Sequence, residues 1–113
     1  MAYDEELADR IRELVATEPD LAEQRMFGGL AFLVNGNMSV AASGKGGLLA
    51  RVDPDDAAAL LGEQVDYMVM GGREMTGWLR VAPAAIDSDD ELAAWVERGV
   101  RYARSLPAKR KKS

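Results

Sequence analysis

Residues Arg25 to Ala42 read RMFGGLAFLVNGNMSVAA, and the parsing of this stretch decides the fold. Two apolar runs flank Asn35-Gly36, the dipeptide best suited to a two-residue hairpin turn. A type I′ turn needs positive φ at both central positions, which Asn tolerates and Gly adopts freely. The first run, residues 26–34, is apolar at nearly every position, so alternation assigns it no single buried face. Met26, Leu30, Phe32 and Val34 fall on one side, and Phe27, Ala31 and Leu33 on the other. The run therefore reads as a strand in the middle of a sheet, covered on both sides, with Gly28 and Gly29 allowing close backbone approach.

Outward from the hairpin, residues 4–16 place Leu7, Ile11, Leu14 and Val15 on one face of an amphipathic helix with acids in its first turn. Glu18-Pro19-Asp20 ends it, and residues 21–24 lead into the hairpin strands, 26–34 and 38–42. Ser43-Gly44-Lys45-Gly46-Gly47 is a turn before a third strand, 48–52. Asp53-Pro54 starts a short helix, 54–61, with Asp at the N-cap and Pro at N1, and Gly62 is placed to stop it. Strands 65–70 and 75–82 join around residues 71–74, and Pro83 closes the second. Ser88 with Glu91 forms a capping box for a last helix with Leu92, Trp95, Val96, Val100 and Ala103 as its core stripe. Gly99 lets that helix lie close to a neighbour.

The order is α-β-β-β-α-β-β-α. This predicts an α+β, two-layer fold: a five-stranded, mainly antiparallel sheet with helices on one face. A single domain spans residues 1–106, and a disordered basic tail spans 107–113.

The chain has 113 residues with no Cys and no His. Disulfides, thiol chemistry and cysteine zinc sites are excluded, and the commonest general base is absent. The acidic start, MAYDEEL, is unlike a signal peptide, and no apolar run approaches a membrane span, so the expected compartment is the cytoplasm with no membrane partner. The net charge of −5 is unevenly spread, with all 19 acids and seven bases in residues 1–97 and the other seven bases after them. An acidic body thus carries a basic end.

One ordered set of strings runs through the chain. It comprises Arg25-Met26-Phe27-Gly28-Gly29, Gly36-Asn37-Met38, Arg51-Val52, and Gly72-Arg73-Glu74-Met75 followed by Gly77-Trp78, with the helix over 92–103. Together they resemble the TfoX (Sxy) N-terminal domain family over nearly the whole chain. The resemblance implies an α-β(3)-α-β(2)-α two-layer fold similar to secretion chaperones. It also implies a role like that of the founding members, regulators of natural competence that act with a transcription factor at its promoters. Those members carry a second, C-terminal domain, and this chain is expected to be a stand-alone N-terminal-domain protein. The family offers no catalytic residues to carry over, and no cofactor or metal is expected.

Other motifs reduce to structure. Gly44-Lys45-Gly46-Gly47 departs from a phosphate loop at Ser39 and Gly46 and reads as a hairpin loop. Asp53, Asp55 and Asp56 are explained by helix capping, as are Asp87, Asp89, Asp90 and Glu91. In the last strand, Met75, Gly77, Leu79 and Val81 share one face and Thr76, Trp78 and Arg80 the other. Phe27, Leu33, Trp78 and Arg80 are therefore the candidate interaction residues on the sheet face away from the helices, for a protein partner or homodimer. Arg98, Arg101, Arg104, Lys109, Arg110, Lys111 and Lys112 are the candidate nucleic-acid residues, with weak binding expected because the acidic body repels a polyanion. The leading expectation is a non-enzymatic regulatory or interaction protein. The alternatives are a nucleic-acid-associated protein using its tail, or a small ligand-binding or enzymatic domain using the open sheet face.

Overall fold

The Asn35-Gly36 turn forms as its residues dictate. In the computed structural model, which describes residues 4–26, 28–44 and 46–107, Asn35 and Gly36 have φ of 54° and 79°. They join β2 (Gly29–Val34) to β3 (Asn37–Ala42). The remaining elements, in chain order, are α1 (Glu5–Leu14) and β1 (Leu21–Met26) before this hairpin, then β4 (Leu48–Arg51), α2 (Pro54–Leu60), β5 (Val65–Met70), β6 (Arg73–Val81), a 3-10 turn (Pro83–Ile86) and α3 (Asp89–Ser105). All the strand pairs are antiparallel, in one six-stranded sheet ordered β1-β2-β3-β4-β6-β5.

This corrects the expected five strands to six, and the order to α-β-β-β-β-α-β-β-α. The apolar run over 26–34 is not one strand. Met26 pairs with Gly29, and Gly28 has φ of +73°, a conformation that costs a residue without Cβ nothing. Residues 21–26, taken as a lead-in, are the edge strand β1. Consequently β2 is second from the edge, and β3 and β4 are the middle strands. The β5–β6 connection is also tighter than expected: only Gly71 and Gly72 turn, and Arg73 already pairs with Met70.

Helix boundaries follow their caps. Asp4 accepts a hydrogen bond from Leu7 N at 3.1 Å, Asp53 from Asp55 N at 3.0 Å, and Ser88 from Glu91 N at 3.1 Å, each satisfying a backbone donor the helix leaves unpaired. Leu7, Ala8 and Ile11 are the buried residues of α1. Leu14, expected inside, is 40% exposed because α1 ends there. The Gly62 stop is not used as a left-handed cap: α2 ends at Leu61 in an extended conformation.

The buried apolar side chains of the helices join one core cluster that includes Phe32, Val40, Leu48, Leu79 and Leu92. Burying a side chain such as Phe32 contributes about 1.5–3 kcal/mol relative to leaving it exposed. Helix α3 lies directly on β3, at Gly99. A Cβ built there would stand 2.5 Å from Ser39 O and 2.8 Å from Val40 Cγ1, so only glycine permits this approach. Asn37 fixes the end of α3, donating from Nδ2 to Pro107 O at 2.9 Å and to Ala103 O at 3.4 Å.

Candidate interaction site

The sheet has a second face, and no helix residue is part of its cluster. Ala31, Met38, Ala41, Leu49 and Met68 form a second buried group, with Leu33, Met75 and Trp78 packed against it half-buried. Two irregularities build this face. In the β2–β3 pairing the register shifts after Phe32, which opposes Val40, so that Leu33 opposes Met38. The residue skipped, Ser39, is buried and donates its hydroxyl to Phe32 O at 2.8 Å. In the β5–β6 pairing Tyr67 opposes Leu79 while Met68 opposes Met75, so residues 76–78 have no opposite number on β5. This bulge overturns the simple alternation expected for β6. Met75 packs with Trp78, not on the opposite side with Leu79.

Of the four candidate interaction residues, Leu33 and Trp78 come together in this cluster. Phe27 lies outside the described residues. Arg80 is half-buried, opposite Asp66, and lines a separate depression of about 740 Å³ along β5 and β6 with Tyr67, Val69 and Glu74. Trp78 is neither lost in the monomer core nor fully open. It shares the cluster's surface with Leu33 and Met75.

A residue to which sequence reasoning gave no role sits beside Trp78. The Arg51 guanidinium carbon is 5.4 Å from the Trp78 ring centroid and 5.7 Å from that of Tyr102, so the cation is held by two aromatic rings. Arg51 is half-buried; its backbone pairs with Trp78 of β6, and among the described residues its side chain meets these two rings. The sequence did carry a sign of this. Arg51 is in phase with Leu49, so a charge stands where alternation calls for an apolar side chain on the second face. Tyr102 and Val52, the residue after Arg51, both line a groove of about 440 Å³ between α2 and α3. Ala59, Leu60, Asp53, Asp56, Arg98 and Arg101 line it too.

The candidate nucleic-acid residues on α3 have partners within the chain. Arg104 binds Glu18 at 2.8 Å and Pro19 O at 3.0 Å, tying α3 to the segment after α1. Arg101 pairs with Glu97, and Arg98 lies over Trp95 at 4.6 Å from the ring centroid. Lys109, Arg110, Lys111 and Lys112 lie outside the described residues. The Ser43–Gly47 segment, with Ser43 N donating to Gly47 O at 3.0 Å, is the β3–β4 hairpin connection.

A surface clasp joins α1 to β1. Arg12 donates to both carboxylate oxygens of Glu23, at 2.8 and 2.9 Å, and to Asp9 at 2.6 Å. These bonds hold the Glu23 carboxyl below its ordinary value and raise Arg12 above its own. They tie α1 to the edge strand β1.

No helix among the described residues is long and apolar enough to cross a membrane. Comparison with curated proteins and with solved structures found no match. A family model does match: that of the TfoX N-terminal domain covers residues 13–103, which include every strand and most of α3. The chain belongs to the TfoX N-terminal domain family.

Proposed function

We propose that the chain is a non-enzymatic regulatory protein that modulates transcription through a protein partner, docked on the sheet face opposite the helices. The observation carrying this reading is the second apolar cluster, which stands apart from the helix-packed core and ends in half-buried Leu33, Met75 and Trp78. A sheet packed by helices on one side needs no such second cluster for its own core. Methionine and aromatic side chains are also the types enriched where proteins bind one another. Family membership supports a regulatory role in the manner of the founding members, and a second copy of the chain is one form the partner can take.

The test compares wild type with Leu33→Ser, a change on the second face that leaves the helix-packed core intact. Transcript profiles and co-purifying proteins are measured from cells expressing each at equal levels, with circular dichroism confirming the fold. The proposal expects the variant to lose both the transcript response and the partner. A folded variant that keeps both removes the sheet face from the function.

A further inference from the structure

Arg51 carries an inference independent of the sheet-face reading. We propose that Arg51, clamped between Trp78 and Tyr102, is the anchor of a binding site for a small organic oxyanion. The ligand would have a carboxylate or phosphate head on Arg51 and an apolar body in the groove between α2 and α3.

Three observations converge on this. First, the two rings hold the guanidinium as a cation, a contact that uses its charge and not its N–H donors, which are arranged to meet two oxygens at once. Among the described residues the side chain's partners are the two rings, and the clamp fixes it in advance, so little ordering is lost on binding. Second, the groove charges balance without Arg51: Asp53 and Asp56 stand against Arg98 and Arg101. Asp53 is already occupied with the α2 backbone at Asp55 N, and Arg101 with Glu97. Arg51 is not itself one of the lining residues; it meets the groove at Tyr102, whose ring it contacts and which forms part of the wall. Third, the groove holds about 440 Å³ and includes Val52, Ala59, Leu60 and the Tyr102 ring. That volume is in the range of small-molecule sites, in which apolar walls surround a few polar groups.

The experiment uses the full chain labelled with nitrogen-15 and follows the arginine Nε–H resonances, with that of Arg51 assigned by its absence in Arg51→Lys. Phenyl phosphate and benzoate are titrated separately at constant ionic strength, with sodium chloride as the control. A saturable shift of the Arg51 resonance is the expected result. Saturation by phenyl phosphate alone identifies a phosphate ester, by benzoate alone a carboxylate, and by both an oxyanion fork without preference. Calorimetry on Arg51→Gln should then show binding weaker by about tenfold or more, the loss expected on removing charge-assisted hydrogen bonds. A drift no different from the chloride control overturns the proposal, as does unchanged affinity in Arg51→Gln. The wild-type titration decides the matter even if that variant fails to fold. It also does not depend on whether Leu33 binds a partner, so failure here leaves the sheet-face reading untouched.

Discussion

Replacing Gly99 with alanine sets two opposing effects against each other. Alanine in the middle of a helix is favoured over glycine by about 1 kcal/mol. Here, however, the new Cβ would stand 2.5 Å from the Ser39 carbonyl oxygen and 2.8 Å from Val40 Cγ1. Restoring ordinary contact, near 3.4 Å, requires α3 to lift from β3 by about 0.9 Å. The nearer obstacle is the backbone of a middle strand, which cannot rotate away as a side chain could. Overpacking of this kind costs about 1–3 kcal/mol. Beyond that cost, the movement strains the bonds from Asn37 to Ala103 O and Pro107 O. Gly99→Ala is therefore expected to be destabilising by about 1–2 kcal/mol net, lowering Tm by about 4–8 °C for a domain of this size. Urea melts and calorimetry measure it directly. Because Tyr102 rides on α3, the variant should also loosen the Arg51 clamp and weaken any oxyanion binding there. A variant at least as stable as wild type would refute the close approach of α3 to β3.

Gly36→Val should destabilise by about 1–2 kcal/mol in urea melts, since a β-branched residue resists the φ of 79° found there, and an unchanged midpoint would contradict the type I′ turn. Asn37→Ala leaves Ala103 O and Pro107 O without their side-chain donor and should cost about 1–3 kcal/mol, with hydrogen exchange rising first at the end of α3. Glu23 has a lowered pKa, so its stabilising effect is present at neutral pH and lost as the pH falls through the folded-state value, below the ordinary 4.5. Glu23→Gln should flatten the acid limb of the stability profile. A chain ending at Pro107 keeps the Asn37 contact and should melt like wild type. If the tail binds DNA, that chain should lose whatever weak, salt-sensitive retention the full chain has, and equal retention by both would dismiss the tail as a nucleic-acid element.

The parts of the fold written in local chemistry were legible: the Asn35-Gly36 turn, the caps at Asp53 and Ser88, and the close approach at Gly99. The position of the first turn was not, because apolar residues continue on both sides of Phe27-Gly28 and hydrophobic pattern alone cannot place a break within such a run. β1 was equally opaque. As an edge strand it exposes Ala22, Glu23, Gln24 and Arg25 and so shows no apolar alternation. At β6, alternation placed Trp78 on the second face but missed Met75, since the bulge over residues 76–78 resets the parity and Gly77 was its only sign. The Arg51 clamp depends on Tyr102, which α3 delivers from far along the chain. No local pattern encodes that meeting, nor the pairing of Arg104 with Glu18.

The central claim is that the sheet face opposite the helices is where this protein meets its partner. Met38, Met68 and Met75 all lie in the cluster on that face, and none of them is in the helix-packed core. Methyl-labelled methionine spectra therefore report on it directly, recorded from dilute to concentrated protein and then with the protein that co-purifies with wild type but not with Leu33→Ser. The account predicts that Met38, Met68 and Met75 shift or broaden in one of these series while amides of α1 and α3 stay in place. Association that moves the helix amides and leaves these three methyl groups unchanged would contradict it.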